Sequence, residues 1–496
     1  MMFVIHLFLA YVDKIKARLI YPCHVPRRFS SGIRLKITLM MMMPFYKKTI
    51  FLLLAAFLWL QIAHKAGAAS ISFIRDTEIE NTIRLYSKPI FEVAGLDYKA
   101  VQVFIINNDE LNAFVTNGQK IFLNTGTLRH AELPEEVIGV IAHEVGHITG
   151  GHLAKLHESM DRAKKATIAS LLVGVPLAVL SGQADIALAA SSLGLTVAER
   201  DFLAYSRVQE QSADQAGVEF MNKAGIDPNG LTHFMERLDR KSRLYQGAAP
   251  DPYQQTHPLT QERLEFLVHE GAHSAVAGEK MPAIYYHLHE RMRVKLTAFL
   301  EPAEVVLRQY PISDQSLYGY MARAIAHMRL AQFDQAIDAI NILIDQHPDD
   351  PFLIELKGDI YQDAGELTKA AEAYAQAVEL LPWAGLIRIQ LAEALIRQND
   401  ETKHASALEQ LEAARLYEPN SPTLWRNFGI IYERQGNMPL LTLTLAETAI
   451  RTNDAKRAKQ QAERAIQQLP RQSPAWQRAR DILNQANLAL TNMGQR

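Results

Sequence analysis

Cysteine is almost missing from this chain of 496 residues, which holds only Cys23. Everything downstream of it therefore lacks a disulfide framework, a thiolate nucleophile and a cysteine-ligated metal. Any metal must be held by histidines and carboxylates. Long apolar runs are scarce as well. The run Thr49 to Ile62 has 14 residues, short of the roughly 20 that a membrane-spanning helix needs. Beyond residue 69 positive charge is outnumbered by negative. Of 52 Lys and Arg, ten lie in residues 1–69, against a single acid there, Asp13, of 54 in the chain. The remainder carries a net charge of about −11. An acidic body argues against a nucleic-acid binder, whose affinity rests on neutralising phosphates.

What is present begins with a leader. Lys47-Lys48 precede the apolar run, and small residues follow around Ala66, Ala68 and Ala69. That order is the signal-peptide pattern. Residues 1–69 are expected to export the rest of the chain, with an uncleaved anchor as the alternative. If translation starts at one of Met40–Met43, residues 1–39 are an over-extended gene start. With 48% hydrophobic and 21% charged residues the body reads as globular. Its length calls for two or more domains.

Residues 71–97 read as a helix, with Ile74, Ile79, Ile83 and Leu85 on its apolar face and Gly95 near its end. Strand-like runs follow at 100–106, 112–115 and 120–124. Asn117-Gly118 between the last two is a hairpin signal. The strand Lys120 to Asn124 is read either as an edge that pairs with an extended substrate or as an ordinary core strand. Helix returns at Leu133-Pro134-Glu135-Glu136 and ends around Gly150-Gly151. Residues 168–197 carry one charge, Asp185. They suit a buried or site-covering element, with membrane-surface contact as the second reading.

After about residue 300 the sequence repeats. Pro348 and Pro382 stand one repeat apart, each preceded at the same offset by alanine, Ala336 and Ala370. One unit reads Gly358, Tyr361, Gly365, Ala370, Tyr374, Ala377 and Pro382, and a later one opens Trp425, Gly429, Tyr432 and Gly436. This is tetratricopeptide (TPR) grammar: paired helices with small residues where they cross. Such arrays present a concave surface to polypeptides.

The chemistry centres on His143-Glu144-Val145-Gly146-His147. On a helix His143 and His147 share a face and can bind one metal. Glu144 lies beside them, near a metal-bound water without being a ligand. A catalytic zinc site takes three protein ligands. Glu210 is the best candidate for the third, and Asp214, one turn on, is placed to hydrogen-bond a ligand histidine. Two solvated carboxylates on an exposed helix are the competing reading of that pair. His152, five residues past His147, is expected to leave the ligand face for the surface.

Together with Ser206-Arg207-x-x-Glu210-x-x-Ala213-Asp214-x-x-Gly217 and Thr256-His257-Pro258, the motif resembles the HtpX/CAAX-prenyl-protease type of metallopeptidase. With the leader and the TPR array, the chain resembles exported, TPR-bearing peptidases of this type over nearly all of residues 70–490. The resemblance implies that His143, His147 and Glu210 bind one Zn(2+), that Glu144 is catalytic, and that Asp214 assists as proton donor or by holding a ligand. It further implies that His257 approaches the metal as a fourth ligand and holds the enzyme resting. Loop stabilisation is the plainer role for His257. Multi-spanning members of that type cleave prenylated substrates, and this chain lacks such spans.

The expected architecture is an α+β zincin-like metallopeptidase domain at 70–295, mostly helical with a small sheet, then an all-α TPR solenoid at 296–490. The expected function is a periplasmic gluzincin-type zinc metalloendopeptidase that degrades or quality-controls envelope and outer-membrane proteins. Its partners would be polypeptide substrates and, through the TPR groove, the envelope assembly machinery, with no nucleic acid. One alternative is a TPR chaperone or adaptor with a closed or silent zinc site. Another is a peptidase with a single narrow signalling substrate.

Overall fold

A computed structural model describes residues 72–98, 100–116, 119–152, 207–244 and 257–494. The leader, the Asn117-Gly118 turn, residues 168–197, Ser206 and Thr256 lie outside the described residues. One compact unit spans Ile71–Arg496. Among the described residues no helix is long and apolar enough to cross a membrane.

The unit opens with strand β1 (Phe73–Ile74) and helix α1 (Thr77–Val93). The helix starts later than its apolar period suggests. The Asp76 carboxylate accepts the Ile79 N–H at 2.9 Å and so caps the first turn. Ile74 is left outside and pairs with β2 (Gln102–Ile106). Strands β3 (Ala113–Thr116) and β4 (Lys120–Asn124) follow, giving the order β1-β2-β4-β3. β2 and β4 run parallel, and β3 pairs antiparallel with β4. β4 is therefore paired on both sides and is not an edge, which overturns the substrate-pairing reading of Lys120 to Asn124. Among the described residues the edge on that side of the sheet is β3.

Alternation along the strands sorts the two faces. Ile121 and Leu123 are fully buried in the domain core. On the other face Phe104, Phe122 and Phe114 stack in a row, with centroids 5.1 and 5.0 Å apart. Phe73 stands 47% exposed beside them.

Helix α2 (Thr125–His130) leads to α3 (Pro134–Thr149), which carries the histidine motif and runs through the core. Glu136 turns back to accept the N–H groups of Glu132 and Leu133 at 3.1 and 3.3 Å, closing the helix start. Two glycines let neighbours approach α3 closely. A Cβ on Gly139 would stand 2.7 Å from the backbone nitrogen of Leu231, and one on Gly146 would stand 2.8 Å from the Ala213 carbonyl. So helix α4 (207–223) and helix α5 (Asn229–Leu244) both pack against α3. Helix α6 (Gln261–His273) packs on α5.

Helix α7 (Ala283–Leu300) belongs to two cores at once. Met292 and Leu296 join the core that holds α3, while Val294 and Ala298 join the next. After the short α8 (Ala303–Gln309), helices stack in pairs. These are α9 (Leu317–Arg329) with α10 (Phe333–Gln346), α11 (Pro351–Asp363) with α12 (Leu367–Leu380), and α13 (Gly385–Arg397) with α14 (His404–Arg415). Then come α15 (Pro422–Arg434) with α16 (Met438–Arg451), and α17 (Ala455–Gln468) with α18 (Pro474–Gly494). The repeat residues sit at the crossings. A Cβ on Gly358 would stand 2.6 Å from the Tyr374 ring, and one on Gly429 would stand 3.1 Å from Thr444 Oγ1. The architecture is an α+β domain followed by an all-α TPR-like solenoid.

Candidate metal centre

Three elements converge on one buried point. α3 supplies His143, Glu144 and His147, α4 supplies Glu210 and Asp214, and the turn before α6 supplies His257. Gly146 is what allows α4 to lie this close. All six side chains are buried, none more than 7% exposed. One ligand atom from each of His143, His147, Glu210 and His257 falls within 4.8 Å of the others.

The spacings are those of a coordination shell. His143 Nε2 lies 3.1 Å from His147 Nε2 and 3.4 Å from His257 Nδ1. Glu210 carboxylate oxygens lie 3.4 Å from His143 Nε2 and 3.4 Å from His147 Nε2. Glu210 also lies 3.1 Å from His257 Nδ1. A tetrahedral ion bound at about 2.0–2.1 Å sets its donor atoms about 3.3–3.4 Å apart. Three imidazole nitrogens and a carboxylate are a donor set suited to zinc.

The surroundings fix each donor. His143 Nδ1 lies 3.0 Å from Asp214 Oδ1. Arg263 from α6 grips Asp214 with two bonds, Nε at 2.6 Å and Nη2 at 2.8 Å. The same guanidinium reaches Glu210 at 3.0 Å and donates to the Pro258 carbonyl at 2.8 Å. Arg263 is 1% exposed and was not among the residues the sequence singled out. Its only sequence signal is its place six positions after His257. His152 was expected at the surface. Instead it is buried, with its Nδ1 3.0 Å from His147 Nδ1.

The protonation preferences follow from these contacts. Burial works against charge on His143, but its bonds to Asp214 and Glu210 outweigh that and push its pKa up to about 10. The pocket thus draws positive charge to the ring. Burial would raise Glu210 and Asp214 too. His257 and His143 hold Glu210 well below the usual carboxylate range, and Arg263 and His143 hold Asp214 down. Glu144 differs. Burial raises its pKa, and neither of its oxygens has a hydrogen-bond partner.

Comparison with known proteins bears on the same residues. Over 316 residues the chain is 26% identical to the beta-barrel assembly-enhancing protease of Escherichia coli (strain K12), covering 62% of this chain and 63% of that protein. It is 25% identical to the beta-barrel assembly-enhancing protease of Yersinia pestis, covering 65% of each. The chain thus spans just under two thirds of the length of these relatives. A narrower match, 29% over 192 residues, is to the mitochondrial metalloendopeptidase OMA1 of Arabidopsis thaliana, covering 39% of this chain and 36% of that one. Residues 75–271, which hold every member of the metal cluster, match Peptidase family M48, and residues 321–385 match the tetratricopeptide repeat, so the chain carries an M48 peptidase domain followed by TPR repeats.

Proposed function

We propose that the chain is an exported zinc-dependent endopeptidase that removes misassembled envelope proteins, with the TPR array holding substrate or partner. The observation that carries this is the buried four-donor cluster at coordination spacing, with the buried Glu144 carboxylate beside it. His143, His147 and Glu210 would hold the ion. Zinc in that position acidifies a water and polarises a scissile carbonyl.

The protein's own groups do the rest. Glu144 is placed to take the proton of the attacking water and return it to the leaving amine. Burial raises its proton affinity, which suits both halves of that task. Asp214 accepts from His143 and fixes the ring, and Arg263 fixes Asp214. Among the described residues β3 is the edge strand next to β4 and packs on α3, which suits addition of an extended polypeptide to the sheet beside the motif. A cavity of about 1040 Å³ between the sheet (Phe104, Phe122) and the repeats (Trp425, Arg451) offers further room for a chain.

His257 supports a restraint on this activity. It stands in the fourth position and also lies 3.6 Å from Glu144, so substrate entry requires it to leave. That same closed set favours the second reading, an adaptor with a silent zinc site. Zinc content with casein cleavage separates them. Glu144→Gln should keep its zinc and lose about 10²–10⁴-fold in rate. His257→Ala should keep zinc and cleave faster. If Glu144→Gln retains all biological activity with metal bound, the peptidase is not the function.

A further inference from the structure

Both motif histidines turn Nε2 inward, and each has its other nitrogen held. His143 Nδ1 meets a carboxylate, Asp214. His147 Nδ1 meets an imidazole, with His152 Nδ1 3.0 Å away and the two rings 4.9 Å apart at 81°. We propose that His152 is the positioning residue of His147: its Nδ1 lone pair accepts the His147 Nδ1–H and fixes the tautomer that presents Nε2 to the metal. The inference rests on the zinc reading above.

The local chain is shaped to deliver this ring. A continuing helix would carry residue 152 off the face of His147. Gly151 instead adopts φ +62, a left-handed conformation that glycine takes without penalty. Gly150 makes the space: a Cβ there would stand 2.3 Å from His152 Nε2, so the imidazole fills the volume a side chain would need. From α4, Gln209 Nε2 donates to the His152 carbonyl at 3.2 Å, tying the turn to the neighbour of Glu210.

An imidazole also suits the charge of the site. Glu144, Glu210 and Asp214 already face one guanidinium, Arg263. A second carboxylate behind His147 would add another buried negative charge. A neutral acceptor gives direction without that cost.

Zinc affinity of the full chain, measured by chelator competition, tests this with two substitutions of similar size. His152→Asn places an acceptor oxygen near the Nδ1 position, and His152→Leu has none. Removing a partner of this kind weakens metal binding by about 10–100-fold. We expect that loss in His152→Leu and near-wild-type affinity in His152→Asn. The visible spectrum of the cobalt(II) form should change in the first and not in the second. Equal affinity of His152→Leu and wild type overturns the proposal, as does an equal loss in both variants. If His152→Leu does not fold, Gly150→Ala carries the same expectation, since it displaces the ring with residue 152 intact. A wild-type chain that takes up no zinc removes the underlying reading instead.

Discussion

A guanidinium stays charged in proteins, so Arg263 gives Asp214 and Glu210 a permanent counter-charge inside the domain. Removing it strands both carboxylates. Breaking a buried pair in this way costs about 3–5 kcal/mol, so Arg263→Ala should lower the thermal midpoint sharply and shed metal. Arg263→Lys should not restore either, because a point charge cannot reproduce the two-bond grip on Asp214. Thermal unfolding with and without added zinc checks both, and a lysine variant as stable as wild type would refute the argument. At this scale the sequence told part of the story. The histidine spacing and the Glu210–Asp214 pair follow from helical period alone. Arg263 did not stand out because a lone arginine on an amphipathic helix reads as solvated. His152 was misplaced because the period was extrapolated past Gly150-Gly151, where the helix had already been expected to stop.

Helix α7 shows how one element carries a pH dependence. His289 is buried there, donating Nε2–H to the Ala131 carbonyl at 3.1 Å, while its Nδ1 has no partner. Burial lowers its pKa to about 4. The unfolded chain takes up this proton near pH 6.5 and the folded chain only near 4, so the unfolded state binds more protons in between. Stability from this group is therefore present above about pH 6.5 and lost as pH falls to 4, a change of about 3 kcal/mol. Denaturant unfolding at pH 7 and pH 5 should show wild type losing more stability than His289→Gln. Parallel losses would refute it. Element identity was largely legible here: the motif helix and the antiparallel pair β3–β4 fall where the hydrophobic period puts them, and the repeats form paired helices. Sheet order was not. Which side of a hairpin a third, non-consecutive strand joins depends on long-range packing, and β2 joins β4 from outside the hairpin.

Across the whole unit the two parts are joined by buried charge. Lys295 on α7 reaches Asp76 at 2.8 Å and Glu78 at 3.1 Å on the peptidase side. Arg291, one turn earlier, pairs with Glu78 and with Asp350, the N-cap of α11. Glu355 on α11 lies in the same neighbourhood, where burial first of all holds its pKa well above the usual range. Repeats and peptidase should therefore unfold in a single calorimetric transition. Lys295→Met should lower it, leaving Asp76 without its cation and Glu78 with Arg291 alone. Arg75→Ala should cost under about 1 kcal/mol, because the Arg75–Glu418 link is half exposed. Two separate transitions in wild type would contradict the shared junction. That junction also governs what becomes of damaged molecules. A chain clipped before α11 loses Asp350, one of the two carboxylates that hold Arg291, and opens the core that α7 shares with α11. The part that holds the metal cluster should then be less stable than the whole chain, so cutting away the repeats is expected to weaken the metal centre as well.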